Sequence, residues 1–152
     1  MKPGYILCPS DFSEESFNAL SYALEMAERY RLKLRLLHVI SRPYGDDITT
    51  EIHHEDNFGI VAANSAEQEQ HLQAYAHVKI RELLEKVHPS QEIDIHIDKG
   101  NTASQILLES SFEDVSMIVM GSHHHAPLTH WLHPNVTAQV LNKARCPVLV
   151  VK

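Results

Sequence analysis

The feature that most constrains the fold is a regular alternation between short apolar runs and longer segments with a helical period. Five runs read as strands, and they lie at residues 5–9, 32–40, 93–97, 117–120 and 147–151. The segment after the first run shows the helical spacing best, with apolar residues recurring every three or four positions. These are Phe17, Leu20, Leu24, Ala27 and Tyr30. Because parallel strands need crossover connections, the order predicts an α/β fold: one open five-stranded parallel sheet with helices on both faces.

The composition is that of one globular domain. With 152 residues, of which 43% are hydrophobic and 22% charged, residues 1–152 are expected to form one domain with a sizeable core. The formal net charge of −7 argues against nucleic acid and anionic membranes as partners, since both require clustered Lys and Arg. The N-terminus shows no signal-peptide layout, and Cys8 and Cys146 read as reduced core thiols. These features predict a cytoplasmic protein.

One segment departs from the alternation. Residues 41–65 have no clear period and are rich in acidic residues and histidines. Loops of this length are uncommon in compact domains and are usually lids, binding loops or disordered segments. We therefore expect a long flexible loop at 41–65, followed by an amphipathic helix over 66–87.

A candidate ligand site follows the fourth apolar run. Met117 to Met120 read as a buried strand that Gly121 ends. A loop then leads to Asn135, which can cap a helix over residues 136–144. A strand, a loop and a capped helix are how an α/β domain presents backbone N–H groups to an anion. The pattern predicts a ligand site at this edge of the sheet.

The spacing within this loop resembles that of the universal stress protein family. Its nucleotide-binding members carry Gly, two residues, Gly, nine residues, and then Gly followed by Ser or Thr. In this chain those positions fall on Gly121, His124, Pro134 and Asn135, so only the first glycine is kept. The opening run through Asp11, the second strand ending Leu-Leu-His-Val-Ile and the closing Cys-Pro-Val-Leu-Val-Val extend the resemblance over nearly the whole chain.

The resemblance implies a Rossmann-like fold of the adenine nucleotide alpha hydrolase type, with strand order 3-2-1-4-5. In nucleotide-binding members the acidic residue and a main-chain group on the second strand hold the adenine, the first glycine approaches the ribose, and the later positions bind phosphates. By position, the implied nucleotide-binding residues are Pro9, Asp11, Val39, Met120, Gly121, Ser122 and Asn135. The family also pairs its last strand with that of a second copy, which here implies a homodimer through Val148, Leu149, Val150 and Val151.

Two substitutions in the loop are incompatible with the family's phosphate contacts. Pro134 has no backbone N–H to donate, and His124 adds a large side chain that resists a positive φ. Each lost charge-assisted hydrogen bond is worth about 1.5–3 kcal/mol. Losing two such bonds would weaken the affinity for ATP by on the order of a hundredfold or more. The adenosine half, formed by Asp11, Val39 and Gly121, is kept, so AMP, adenosine or a weak ATP contact remain open as ligands.

Histidines are concentrated in the same loop. His123, His124, His125, His130 and His133 lie within eleven residues. They have three interpretations: a solvated polar loop, a metal site, for which His123, His125, His130 and His133 are the candidate ligands, or an anion site that depends on protonated imidazole. No cysteine or paired carboxylate lies at ligand spacing, so the metal interpretation has no second line of support.

The leading functional hypothesis is a non-catalytic stress-response or regulatory module that acts as a homodimer, binds ATP weakly or not at all, and works through a protein partner. No residue qualifies as catalytic, because Ser13 is explained as the cap of the first helix and no nucleophile elbow is present. Two alternatives remain. One is a member that binds and slowly hydrolyses ATP, and the other is a metal-responsive module that uses the histidine-rich loop 123–133.

Overall fold

The computed structural model describes residues 4–41, 58–122 and 136–152. Five strands and four helices alternate along them. In chain order they are β1 (Tyr5–Pro9), α1 (Glu14–Tyr30), β2 (Lys33–Ile40), α2 (Phe58–Val87), β3 (Ile93–Lys99), α3 (Thr102–Ser110), β4 (Val115–Gly121), α4 (Val136–Lys143) and β5 (Val148–Val151). The predicted α/β alternation is confirmed element by element. No helix in the described ranges is both long and apolar enough to cross a membrane.

All five strands are parallel, and their order in the sheet is β3-β2-β1-β4-β5. This is the order that the resemblance implied. The chain leaves β1 toward β2 on one side and later returns to β4 on the other, so the strand order reverses between β1 and β4. In open α/β sheets, ligands bind outside the carboxyl ends of the strands at such a reversal.

Two hydrophobic cores cover the two faces of the sheet. α1 and α2 pack on one face, where Ala19, Leu20, Ile80 and Leu83 meet alternate residues of the strands. On the other face, α3 and α4 contribute Ile106 and Val140. Because side chains alternate along each strand, β1, β4 and β5 are almost continuously hydrophobic, as in buried parallel sheets, whereas the edge strand β3 alternates isoleucine with polar residues.

Small side chains bring α1 close to the sheet. Its buried residues are Ser16, Ala19, Leu20, Ala23 and Ala27. The expected apolar stripe included Tyr30, and this was wrong because its side chain is 55% exposed. Tyr30 is the last residue of α1, where Arg31 adopts a left-handed conformation with a φ of 55° and ends the helix. The rest of the predicted stripe packs against the core, and alanine and serine make the closest approach to the sheet.

The expected loop at 41–65 is wrong for its last eight residues. α2 begins at Phe58, so residues 58–65 are helical, and residues 42–57 lie outside the described part of the chain. Gly59, Asn64 and Ser65 have low helix propensity and interrupt the apolar period, which hid this first part of the helix from the sequence pattern. The helix continues to Val87, as expected.

The two thiols are free and differ in burial. Cys8 on β1 is fully buried, and burial raises its pKa to about 12. Cys146 lies between α4 and β5 and is half-buried. The core position expected from the sequence thus holds for Cys8, and Cys146 lies nearer the surface.

A buried ionic cluster lies on the α3 face, and nothing in the sequence pattern indicated it. Arg35 of β2 is 8% exposed and contacts three carboxylates: Asp94 at 2.8 Å, Glu109 at 3.3 Å and Asp114 at 3.4 Å. Burial opposes the guanidinium charge, but the hydrogen bond with Asp94 and the nearby carboxylates outweigh it and raise the pKa of Arg35. The guanidinium also lies 4.1 Å from the centroid of the Tyr5 ring. This cluster joins β1, β2, β3 and α3.

Candidate functional site

A cleft of about 390 Å³ opens at the carboxyl ends of β1, β2 and β4. It lies at the reversal of strand order, where α/β folds bind ligands. Its volume is within the range of small-molecule sites. The lining residues come from three strand ends and the starts or sides of four helices: Pro9, Ser10, Asp11, Ser13, Ser16, Leu37, His38, Val39, Ile40, Ser41, Leu72, Tyr75, Thr102, Ile106, Met120, Gly121, Val136 and Thr137.

The turn between β1 and α1 is fixed by its own side chains. Asp11 Oδ1 accepts hydrogen bonds from Ser13 Oγ at 2.5 Å and from the Ser13 backbone N–H at 3.1 Å. Ser13 Oγ in turn accepts from the Ser16 N–H at 3.2 Å and so caps α1, as the sequence predicted. The carboxylate of Asp11 is therefore held at the mouth of the cleft.

The hydroxyl groups of Ser10 and Ser16 also form hydrogen bonds within this turn. Ser16 Oγ donates to the Ser13 carbonyl at 2.9 Å, so at the 3.1 Å contact between Ser10 Oγ and Ser16 Oγ the proton comes from Ser10. Ser10 Oγ accepts from the Phe12 N–H at 3.2 Å. The protons of Ser10, Ser13 and Ser16 thus all serve the structure of the turn.

The main chain of Val39 faces the cleft because β1 is shorter than β2 at this end. The last residue pair between the two strands is Pro9 with Leu37, and the Ser10 N–H donates to the Leu37 carbonyl at 2.9 Å. Backbone groups two residues apart in a strand point to the same side. The N–H and C=O of Val39 consequently point toward the gap where β1 has ended. They are the main-chain groups that can bind the edge of a planar ligand.

Gly121 allows β4 to approach the start of α1 closely. A Cβ atom on Gly121 would lie 2.7 Å from the carbonyl carbon of Glu15 and 2.9 Å from the backbone nitrogen of Ser16. Beyond it, the Ser122 N–H donates to the Val151 carbonyl at 2.7 Å, and Thr137 Oγ1 donates to the Gly121 carbonyl at 3.4 Å. The glycine is therefore required by packing within the protein, independently of any ligand.

We predict that Gly121→Ala lowers the free energy of unfolding by about 1–3 kcal/mol, because the added methyl group meets backbone that cannot rotate away. Urea denaturation measures the change. The matched control is Gly59→Ala in α2, where alanine suits the helix and should not lower stability. Equal stability of Gly121→Ala and the natural protein would contradict the close approach of α1.

The structure brings together most of the nucleotide-binding residues that the sequence predicted. Pro9, Asp11, Val39, Met120 and Gly121 all line the cleft. Ser122, the next residue along the chain, is buried and is not among the residues that line the cleft.

Of the other predicted site residues, some lie in the described part of the chain and some lie outside it. The edge residues Val148, Leu149, Val150 and Val151 form β5, at the far end of the sheet from β3. Asn135 and the histidines His123, His124, His125, His130 and His133 lie outside the described residues, together with Pro134. Within the described ranges, no group of three His, Cys, Asp or Glu side chains is arranged to hold a metal ion.

Sequence reasoning missed one wall of the cleft. Leu72 and Tyr75 of α2 line it, although they are 42% and 55% exposed. His38 of β2 also lines it. Nothing in the period of α2 shows which residues overhang the strand ends. The one indication in the sequence was Tyr75, an aromatic residue on the polar side of α2.

Comparisons with known proteins agree with the fold described above. A model of the universal stress protein family matches residues 4–152. A comparison with curated proteins gave no match. Among solved structures, the protein designated MJ0577 is similar at 27% identity with a TM-score of 0.71, and the likeness covers 100% of this chain and 97% of that one.

Two further structures share the fold at lower identity. The universal stress protein UspA from Lactobacillus plantarum is 18% identical with a TM-score of 0.68, over 100% of this chain and 99% of that one. A universal stress protein solved in complex with cAMP is 16% identical with a TM-score of 0.66, over 98% and 96% of the two chains. Both likenesses cover the five-stranded sheet and its helices from end to end.

Proposed function

The chain belongs to the universal stress protein family, and on that premise we propose that it is a non-catalytic regulatory module whose cleft takes the adenosine part of a nucleotide and binds ATP weakly or not at all. The observation that carries this proposal is the meeting of Asp11, Val39 and Gly121 in one cleft, next to a loop that lacks two of the family's glycines. This arrangement supports the adenosine half of the family's site. The two missing glycines argue against the phosphate half.

The adenosine half supports a planar, partly polar ligand. The Asp11 carboxylate at the mouth accepts hydrogen bonds, and the main chain of Val39 supplies a donor and an acceptor at the end of β2. Leu72 and Tyr75 offer exposed apolar surface beside them, which a bound base would cover. A related protein of this fold has been solved with cAMP, which is also an adenine nucleotide.

The phosphate half argues against tight ATP binding. Pro134 has no N–H, and His124 replaces a second glycine, so two charge-assisted hydrogen bonds are lost at about 1.5–3 kcal/mol each. AMP needs fewer phosphate contacts than ATP, so the two substitutions cost AMP less binding free energy than they cost ATP. We therefore expect AMP and adenosine to bind at least as tightly as ATP.

We propose that the cleft has no catalytic role because the serine hydroxyl groups at its edge are already engaged in hydrogen bonds. Ser13 Oγ donates to Asp11 and caps α1, and Ser10 and Ser16 bond within the same turn. A nucleophilic serine needs a proton acceptor that can receive its proton while the oxygen remains accessible. Among the described residues of the cleft, the serines instead hold the turn in place.

We propose that the protein acts in the cytoplasm as a homodimer that signals to a protein partner. β5 pairs only with β4 in the described chain, which leaves its outer backbone edge free. Its side chains alternate into the two cores, Leu149 and Val151 into one and Val148 and Val150 into the other. What β5 offers a second copy is therefore its backbone edge, and unpaired edges of this kind promote association.

Isothermal titration of the protein with adenosine, AMP and ATP tests the proposal. We expect adenosine and AMP to bind with similar affinity and ATP to bind no more tightly than AMP. In the same samples, phosphate release from ATP should not exceed that of buffer. ATP binding more than tenfold tighter than AMP binding would contradict the proposal, as would steady ATP hydrolysis.

A further inference from the structure

Three aromatic rings contact one another at one side of the cleft, and we call them the aromatic wall: His38 and Tyr75 line the cleft, and Phe12 packs against both from the core side. The Phe12 and His38 rings stack with their centroids 4.3 Å apart and an angle of 28° between their planes. Tyr75 meets Phe12 edge-on at 6.4 Å. Flat, apolar surfaces of this kind suit a planar base better than a ribose or a phosphate.

The backbone holds Phe12 in an unfavourable conformation. Its φ is 67°, in the left-handed region that large side chains rarely adopt. The Phe12 N–H donates to Ser10 Oγ, and the ring packs against the hydrophobic core. Strained backbone of this kind is concentrated at ligand sites, where it fixes a side chain in advance. The turn therefore sets the position of the Phe12 ring and of the imidazole stacked on it.

The hydrogen bond of His38 defines its tautomer. Nδ1 lies 2.8 Å from the Ser10 carbonyl oxygen. Because a carbonyl oxygen only accepts, Nδ1 must carry the proton. In a neutral imidazole, Nε2 is then an acceptor. Nε2 has no partner among the residues that the structure describes, and the side chain lines the cleft. The aromatic wall thus presents one oriented hydrogen-bond acceptor.

We propose that His38 Nε2 accepts a hydrogen bond from the exocyclic amino group of a 6-aminopurine and so distinguishes adenine from 6-oxopurines. The inference rests on the proposed function, because it names what selects the base in the same cleft. A 6-oxopurine places a carbonyl oxygen where the amino group would donate, so two acceptors face each other and the hydrogen bond is lost. One such bond corresponds to about a tenfold difference in affinity.

The test compares AMP and IMP, which differ at the 6-position in this way, by isothermal titration at pH 8, where imidazole is ordinarily neutral. The natural protein should bind AMP about tenfold more tightly than IMP. His38→Asn should lose most of this preference, because the shorter amide can still donate to the Ser10 carbonyl but has no atom in place of Nε2. His38→Gln places an amide oxygen near that position and should keep the preference for AMP.

Three controls isolate the base-reading role. His77→Asn, on an exposed part of α2 away from the cleft, should leave the preference for AMP unchanged. Deoxy-AMP should bind like AMP to every variant, because the 2′-hydroxyl is not the donor in question. Thermal unfolding of each variant checks that the fold is kept, and the AMP to IMP ratio of the natural protein tests the inference without any substitution.

Each contrary outcome has a distinct meaning. An equal affinity of the natural protein for AMP and IMP, or a preference for AMP that persists in His38→Asn, overturns the role of His38 and leaves the proposed function standing. If the natural protein binds deoxy-AMP more weakly than AMP and His38→Asn does not, Nε2 contacts the ribose, and the role of His38 in reading the base is also overturned. Absence of binding by adenosine and AMP to the natural protein overturns the proposed function together with this inference.

Discussion

Restoring the two glycines, with His124→Gly and Pro134→Gly in one variant, should increase the affinity for ATP by on the order of a hundredfold while leaving the affinity for adenosine unchanged. The glycine in place of Pro134 regains a backbone N–H, and the glycine in place of His124 regains access to a positive φ. Two recovered contacts of about 1.5–3 kcal/mol each correspond to this gain. Titration with ATP and with adenosine measures both quantities.

The matched control places two glycines elsewhere in the same loop. His125→Gly with His133→Gly introduces similar flexibility next to the phosphate-binding positions without occupying them. It should not raise the affinity for ATP. If the control and the test variant gain equally, the effect comes from loop flexibility. If neither gains, the assignment of His124 and Pro134 to the phosphate contacts is wrong.

Arg35→Ala should lower the free energy of unfolding by about 3 kcal/mol. Removing one partner of a buried ion pair leaves an uncompensated charge, which costs about 3–5 kcal/mol. Glu109 is the most deeply buried of the three carboxylates, with 11% of its side chain exposed, whereas Asp94 and Asp114 are 35% and 48% exposed and are partly screened by water. The lower end of the range is therefore expected. Urea denaturation at neutral pH measures it.

Arg29→Ala is the control for Arg35→Ala. Arg29 forms an ion pair with Glu25 on the surface of α1, with the two side chains 72% and 56% exposed, and its loss should cost no more than about 0.5 kcal/mol. Combining Arg35→Ala with Glu109→Ala should cost less than the sum of the single changes, because the charge that is left unpaired has been removed. Additive costs would show that Arg35 stabilises the protein by packing alone.

The sheet and its helices were predictable because their physical signals are local. The alternation of apolar runs and helical periods identified every strand, and Ser13, as a helix cap, marked the start of α1. The strand order came from the family resemblance. α2 was predicted too short because Gly59, Asn64 and Ser65 interrupt its period, whereas the helix begins at Phe58.

The candidate site was predictable only where the strands end. The family resemblance pointed to Asp11, Val39 and Gly121, which lie at or just beyond the ends of apolar runs, and the carboxyl ends of parallel strands lie at one edge of the sheet. Tyr75 reaches the same cleft from the side of a long helix. Arg35 and Glu109 are 74 residues apart in sequence and meet on the α3 face of the sheet. Such contacts depend on helix position and register, which periodicity does not encode.

The role of Gly121 shows the same distinction. The sequence identified it as the first glycine of a nucleotide loop, whereas the structure shows its missing Cβ serving the approach of α1. The residue would be required even in a chain that bound no ligand. Keeping this glycine while losing the later two is therefore consistent with a fold that is preserved while the phosphate site is not.

A native mass spectrum of tag-free protein, purified without added nucleotide or chelator, is the measurement that tests the degenerate phosphate site most directly. We predict a dimer without bound ATP that remains free of ATP until its concentration reaches the millimolar range, and that accepts adenosine or AMP at lower concentration. A dimer that retains about one ATP per subunit through purification would contradict the account and make nucleotide switching the function of this cleft.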